Sequence, residues 1–166
     1  MLRGRHRHGV AVGAADSGGA AVRLRPVEDD DQLAYFAYQR DPEANAMAAF
    51  PARDRAAFDR HWAVLRSTAS GTTRTAVVGV QVAGIVTAWG DHPHRELAYW
   101  FGRQFWGRGI ATAAVGLFLD VEQARPLTAH VAVHNDGSRR VLEKLGFRHV
   151  GQAPEDDLIL DVFQLA

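Results

Sequence analysis

The stretch ELAYWFGRQFWGRGIATAAVGLFLDVEQ, residues 96–123, changes its period part-way along. RELAYWF (95–101) is apolar and aromatic and reads as a strand. From Gly109 onward Ile110, Ala114, Leu117, Phe118 and Val121 share one helical face, so 109–123 is predicted to be an amphipathic helix that Pro126 ends. Between the two lies Gln104-Phe105-Trp106-Gly107-Arg108-Gly109. A loop entering a helix aims free backbone N–H groups outward, and glycines let an anion approach the backbone. The segment reads either as a phosphate cradle or as a plain glycine-containing turn. A dinucleotide-binding Gly-x-Gly-x-x-Gly fits less well, because Thr112 stands where the third glycine belongs.

Toward the N-terminus, TRTAVVGV and VAGIVTAWG are strand-like and nearly contiguous from Thr72, which predicts an antiparallel hairpin. Pro51 opens a predicted helix carrying Phe58, Trp62 and Leu65, and an earlier helix follows the acidic run Glu28–Asp31 until Asp41-Pro42 stops it. VRLRPV (22–27) is a first strand ended by Pro26, and residues 1–20, without periodicity, are expected to be a flexible tail outside a domain spanning 21–166. Toward the C-terminus, LTAHVAVH is a strand and DGSRRVLEKLG a short helix, capped by Asn135 or Asp136 and stopped by Gly146. FRHVGQ and LILDVFQL close the chain as two strands. The expected fold is a single α/β domain with a mixed sheet in the order β-α-α-β-β-β-α-β-α-β-β.

Composition removes several functions. The 166 residues contain no cysteine, which excludes disulfides, thiolate metal sites and a cysteinyl intermediate. Lys144 is the sole lysine among 19 cationic side chains and follows no phosphate-binding Gly-x-x-x-x-Gly, so neither a P-loop nor a Schiff base is expected. Cationic and anionic side chains balance at a formal net charge of +0, which argues against nucleic acid as a partner. There is no apolar run of about 18 residues to span a bilayer and no signal-like N-terminus, so no membrane association and a cytoplasmic location are expected. His92 and His94 lack an evident third ligand, so no metal is expected.

The loop resembles the acyl-CoA-binding motif of the GCN5-related N-acetyltransferases (GNAT), in which Arg or Gln, two residues, Gly, one residue and Gly or Ala follow one another; QFWGRG matches at Gln104, Gly107 and Gly109. The Glu-x-x-Tyr-Trp strand before a Trp-Gly-x-Gly turn is similar to the branch containing the ribosomal-protein N-terminal acetyltransferases. HNDGSRRVLEKLGF resembles a second family segment, an Asn followed by Ser three residues on and then a helix ending in Glu-Lys-x-Gly-Phe. The likeness covers about residues 21–165 in element order and 96–147 in motif detail.

The resemblance implies transfer of an acetyl group from acetyl-CoA, as co-substrate, directly to a primary amine of a peptide N-terminus or small molecule. It implies that backbone N–H groups around Gln104, Gly107, Arg108, Gly109 and Ile110 hold the pyrophosphate, with Arg108 as an added cation. A strand splayed from its neighbour would hold the pantetheine arm through backbone at Phe101 and Arg103. Asn135 would contact the pantetheine, cap its own helix, or both. Glu96 matches an acidic position able to deprotonate the amine, often through water; as a residue it is equally a solvated carboxylate on a strand edge. Many relatives carry a tyrosine on the last helix where this chain has Leu142, which leaves Ser138, or solvent, to protonate the departing thiolate. A non-catalytic acyl-CoA-binding module would keep the cradle without proton handling, and a nucleotide-binding oxidoreductase would use the glycine turn for NAD(P). The acceptor is expected between residues 41–51 and the final hairpin, near the acidic Glu155-Asp156-Asp157. Monomer and homodimer are both open.

Overall fold

The structure is a computed structural model that describes residues 21–166; the predicted N-terminal tail, 1–20, lies outside the described residues. A seven-stranded sheet runs in the order β1-β2-β3-β4-β5-β7-β6. Its strands are β1 (Val22–Arg25), β2 (Thr72–Val78), β3 (Gln81–Trp89), β4 (Arg95–Phe101), β5 (Leu127–Ala132), β6 (Arg148–Glu155) and β7 (Leu158–Leu165). The helices are α1 (Asp31–Tyr38), α2 (Pro42–Ala48), α3 (Arg55–Ser67), α4 (Ile110–Val121) and α5 (Asp136–Lys144). None of them is long and apolar enough to cross a membrane.

The mixed α/β architecture is the expected one, with one helix more. Asp41-Pro42 does end α1, but it also starts α2: the Asp41 side chain accepts from the backbone N–H groups of Glu43 and Ala44, and Pro42 occupies the first helical position, where its missing N–H costs nothing. Pro51 does not open α3; Asp54 does, accepting from the Ala57 N–H, and Phe58 then becomes fully buried. In α4 the buried face is Ile110, Ala114, Val115 and Phe118, whereas Leu117 and Val121 are 40% and 46% exposed. The apolar face is wider than the sheet contact, and the buried stripe takes in Val115 while Leu117 and Val121 fall at its edge.

Two clusters hold the layers together. Leu97 and Phe101 of β4 join Ile110, Ala114, Val115 and Phe118 of α4 and Leu142 of α5 on one face of the sheet. On the other face Tyr35 of α1, Phe58, Trp62 and Leu65 of α3, Ile85 and Trp100 form a second cluster. Beside it Asp31, 2% exposed, is held by Arg25 at 2.7 and 2.8 Å, by the Thr75 hydroxyl at 2.7 Å and by the Glu28 N–H at 2.9 Å. Successive β4 residues alternate between the faces, which puts Tyr99 with the α4/α5 side and Glu96 with Trp100 on the other.

One irregularity shapes the site. β4 and β5 are parallel neighbours seven and six residues long, yet they pair only at Arg95–Leu127 and Glu96–Thr128. Beyond these two pairs they diverge and leave a notch in the sheet.

Candidate active site

The notch opens into a cleft of about 480 Å³ between the end of β4, the glycine loop, α2 and the start of α5. Phe101, Gly107, Asn135 and Ser138 line it, together with Tyr99, Trp100, Trp106 and His134 and with Ala44 and Met47 of α2. A smaller recess of about 230 Å³ continues beneath the loop, bounded by Gly109, Ile110 and Thr112 and by Arg140 and Lys144 of α5.

The loop is built as an open cradle. Gly107 and Gly109 have φ of +68° and +72°, in the left-handed region, and a Cβ on either would meet nothing within 4 Å. Gly109 is the N-cap of α4 and supplies no side-chain cap. The first N–H groups of that helix therefore lack an intrahelical acceptor, next to the positive end of its dipole. The Trp106 indole N–H donates to the Phe101 carbonyl at 3.1 Å and pins the loop to β4.

The remaining predicted loop residues sit around the cradle rather than in it. The Gln104 side chain donates to the Tyr38 hydroxyl at 3.2 Å, and Arg108 reaches the Gln104 carbonyl at 3.4 Å. Arg103 turns away toward α2, pairing with Asp41 at 2.8 Å and Glu43 at 2.6 Å. Desolvation pushes the Asp41 carboxyl up, but the N–H groups of Glu43 and Ala44 and the Arg103 guanidinium outweigh it and hold the carboxyl below its usual range. The Gln104 and Arg103 side chains are thus engaged with Tyr38 and with Asp41 and Glu43. Ile110 is 3% exposed, so it offers backbone alone.

At the start of α5, Asn135 is the cap: its Oδ1 accepts from the Ser138 N–H at 3.1 Å. Leu142, at the position where many relatives carry tyrosine, is fully buried in the core. The Tyr99 hydroxyl instead reaches this wall, donating to the Ser138 carbonyl at 3.2 Å, and burial pushes its phenol up to about 12. α2 closes the opposite wall, held by the His134 ring nitrogen at 2.8 Å from the Ala46 carbonyl.

Glu96 does not line the cleft. It lies at the apex of the notch, in one of the last paired positions of β4, on the face opposite Tyr99, with a carboxylate oxygen 3.8 Å from Nδ1 of His130. The structure thus brings Phe101, Gly107, Asn135 and Ser138 together, extends them through Gly109 and Ile110, and keeps Glu96 at the foot of the notch. Sequence reasoning passed over Arg140 and weighed Lys144 only as a P-loop or Schiff-base lysine, although their four-residue spacing on a helix next to the cradle was the available signal. It also passed over His130, for which the sequence held no signal. Among the described residues no group of three or more His, Asp or Glu is placed to hold a metal ion.

The acetyltransferase (GNAT) domain model matches residues 21–148. The chain belongs to the GNAT acetyltransferase family. This makes it an acetyl-CoA-dependent N-acetyltransferase. Solved structures share the fold of this GNAT domain. Spermidine N-acetyltransferase from Vibrio cholerae, in complex with CoA and spermine, superposes with a TM-score of 0.73 at 17% identity over 86% of this chain and 92% of that one. RimJ from Mycobacterium smegmatis, in complex with CoA-disulfide, gives 0.71 at 24% identity over 87% and 81%. The aminoglycoside acetyltransferase AAC(6')-Ib with coenzyme A gives 0.70 at 17% identity over 87% and 94%. No curated protein matches the chain significantly.

Proposed function

We propose that this GNAT domain transfers the acetyl group of acetyl-CoA directly to a primary amine, with the pyrophosphate on the 104–110 cradle and the thioester threaded through the β4–β5 notch. The observation that carries this reading is the divergence of the two strands after two residue pairs, immediately beside a glycine loop with free helix N–H groups. An extended pantetheine arm finds strand backbone to pair with there, where β4 and β5 part beyond Glu96 and Thr128. Arg140 and Lys144 supply positive charge at the phosphate end.

Proton handling divides between the two faces of the sheet. Glu96, at the foot of the notch beside His130, accepts the amine proton, directly or through water. Ser138, on the cleft wall, faces the departing sulfur. The amine attacks the carbonyl carbon, the C–S bond breaks, and its electron pair leaves on sulfur.

A cationic amine suits an acceptor site with the Glu96 carboxylate at the foot of the notch, and the exposed Glu155, Asp156 and Asp157 of the β6–β7 turn add negative charge that attracts it. Within that class we favour a peptide N-terminus, on the strength of the Glu-x-x-Tyr-Trp and Trp-Gly-x-Gly residues shared with the ribosomal-protein branch; polyamines and aminoglycosides are the competitors that the fold relatives' ligands supply. Acetyl-CoA consumption against panels of peptides, polyamines and aminoglycosides tests the reading. Turnover with a peptide N-terminus supports it, turnover confined to a polyamine or aminoglycoside corrects the acceptor, and CoA binding without turnover on any amine refutes it.

A further inference from the structure

We propose that Tyr99 is a catalytic residue of this enzyme, its hydroxyl donating a hydrogen bond to the sulfur of CoA as the thiolate departs. The inference deepens the acetyl-transfer reading and rests on it for the identity of the leaving group.

Two observations place the hydroxyl at the cleft. β4 alternation turns Tyr99 to the α4/α5 side, and the residue lines the cleft between Phe101 and Ser138. Its hydrogen bond to the Ser138 carbonyl is weakly held, at 3.2 Å, on an acceptor within the first turn of α5, where the helix offers that carbonyl its own donor at Leu142. The hydroxyl can leave this bond without stranding a buried group.

The phenol remains protonated through the working pH range, because burial raises it to about 12. Handing its proton completely to a thiolate of ordinary basicity, near 8.5, is uphill by several pH units. Tyr99 therefore acts by hydrogen bonding to developing charge rather than by proton loss. The balance is simple: the C–N bond forms, the C–S bond breaks with its electron pair going to sulfur, the amine proton leaves on the Glu96 face, and the stabilised thiolate takes its proton from Ser138, itself reprotonated by solvent, or from solvent directly. Tyr99 and Glu96 stand on opposite faces of one strand, so the thioester lies between the donor for its leaving group and the base for its nucleophile.

The test does not depend on knowing the acceptor. The thiol of bound CoA is titrated through its thiolate ultraviolet absorbance in the wild type and in Tyr99→Phe, with Tyr99→Leu as a second hydroxyl-free variant should Phe unsettle the sheet. A hydrogen bond to a charged acceptor should make the bound thiol titrate about one to two pH units lower in the wild type. Turnover is then compared for acetyl-CoA and its selenoester, whose selenolate is a weaker base. Tyr99→Phe should lower kcat about 10- to 100-fold with the thioester, far less with the selenoester, and leave CoA affinity unchanged. Equal thiol titration in wild type and variants overturns the role of Tyr99, as does an equal kcat loss on both donors. A wild type that binds CoA but acetylates no amine overturns the transferase reading alone, and the titration still judges Tyr99.

Discussion

Replacing Gly109 with valine separates a cradle from a turn, provided that backbone strain is controlled for. Gly109 sits at φ +72° with open space where a Cβ would project, and Gly79, in the β2–β3 turn and not among the residues lining the cleft, sits at +60° with equally open space. Valine at either site must adopt the left-handed region, which costs about 1–2 kcal/mol. For a chain of this size each kcal/mol lowers Tm by about 2–4 °C, so both variants should melt about 2–8 °C below the wild type. Only Gly109→Val places methyl groups where the pyrophosphate would meet the N-terminus of α4. Losing one charge-assisted hydrogen bond, worth about 1.5–3 kcal/mol, weakens CoA binding roughly 10- to 150-fold. Calorimetric titration with CoA, alongside thermal melts, reads both effects. CoA affinity retained in a folded Gly109→Val protein, or lost equally in Gly79→Val, would refute the cradle.

Glu96→Gln should lower turnover about 10²–10⁴-fold at low pH, with the deficit shrinking as pH approaches the amine's own pKa; a pH–rate profile parallel to the wild type removes the base assignment. Ser138→Ala should lower kcat at preserved CoA affinity with no rescue by alkali, and full activity in that variant leaves Tyr99 and solvent to serve the sulfur. Asp31→Asn should destabilise the fold by about 1–3 kcal/mol at neutral pH, because it takes the buried carboxylate from the Arg25 guanidinium and leaves it only the exposed Glu28 at 3.6 Å. Burial pushes the Asp31 carboxyl up, but Arg25, Thr75 and the Glu28 N–H together hold it below the ordinary aspartate value of 3.8. Its stabilisation is therefore present above that value and is lost as pH falls through the lowered one; wild-type and variant melts should converge in acid, and a constant gap from pH 7 down to pH 2 would contradict this. Deleting residues 1–20, which hold no periodic apolar pattern, should leave Tm unchanged, and a large drop would show that the segment packs on the domain.

Local chemistry was legible in the sequence wherever it is set by near neighbours. The change of period at Gly109, the Gly107 and Gly109 pair, the Asn135 cap and the strand carrying Tyr99 and Trp100 follow from spacing, and they sufficed to point to the family. Sequence reasoning missed α2, because Asp-Pro is both a good helix stop and a good helix start and only the space beside Arg103 and His134 makes it a start. The notch is a property of two strands separated by a helix, so no local pattern encodes where β4 and β5 stop pairing. For the same reason, only the tertiary structure put His130 beside Glu96, turned Arg103 toward Asp41 and brought the Tyr99 hydroxyl to Ser138. By itself the sequence determined which groups this protein can offer an acyl-CoA; the packing of helices on the two faces of the sheet decided which of them meet, because contacts between distant segments depend on crossing positions that spacing along the chain does not carry.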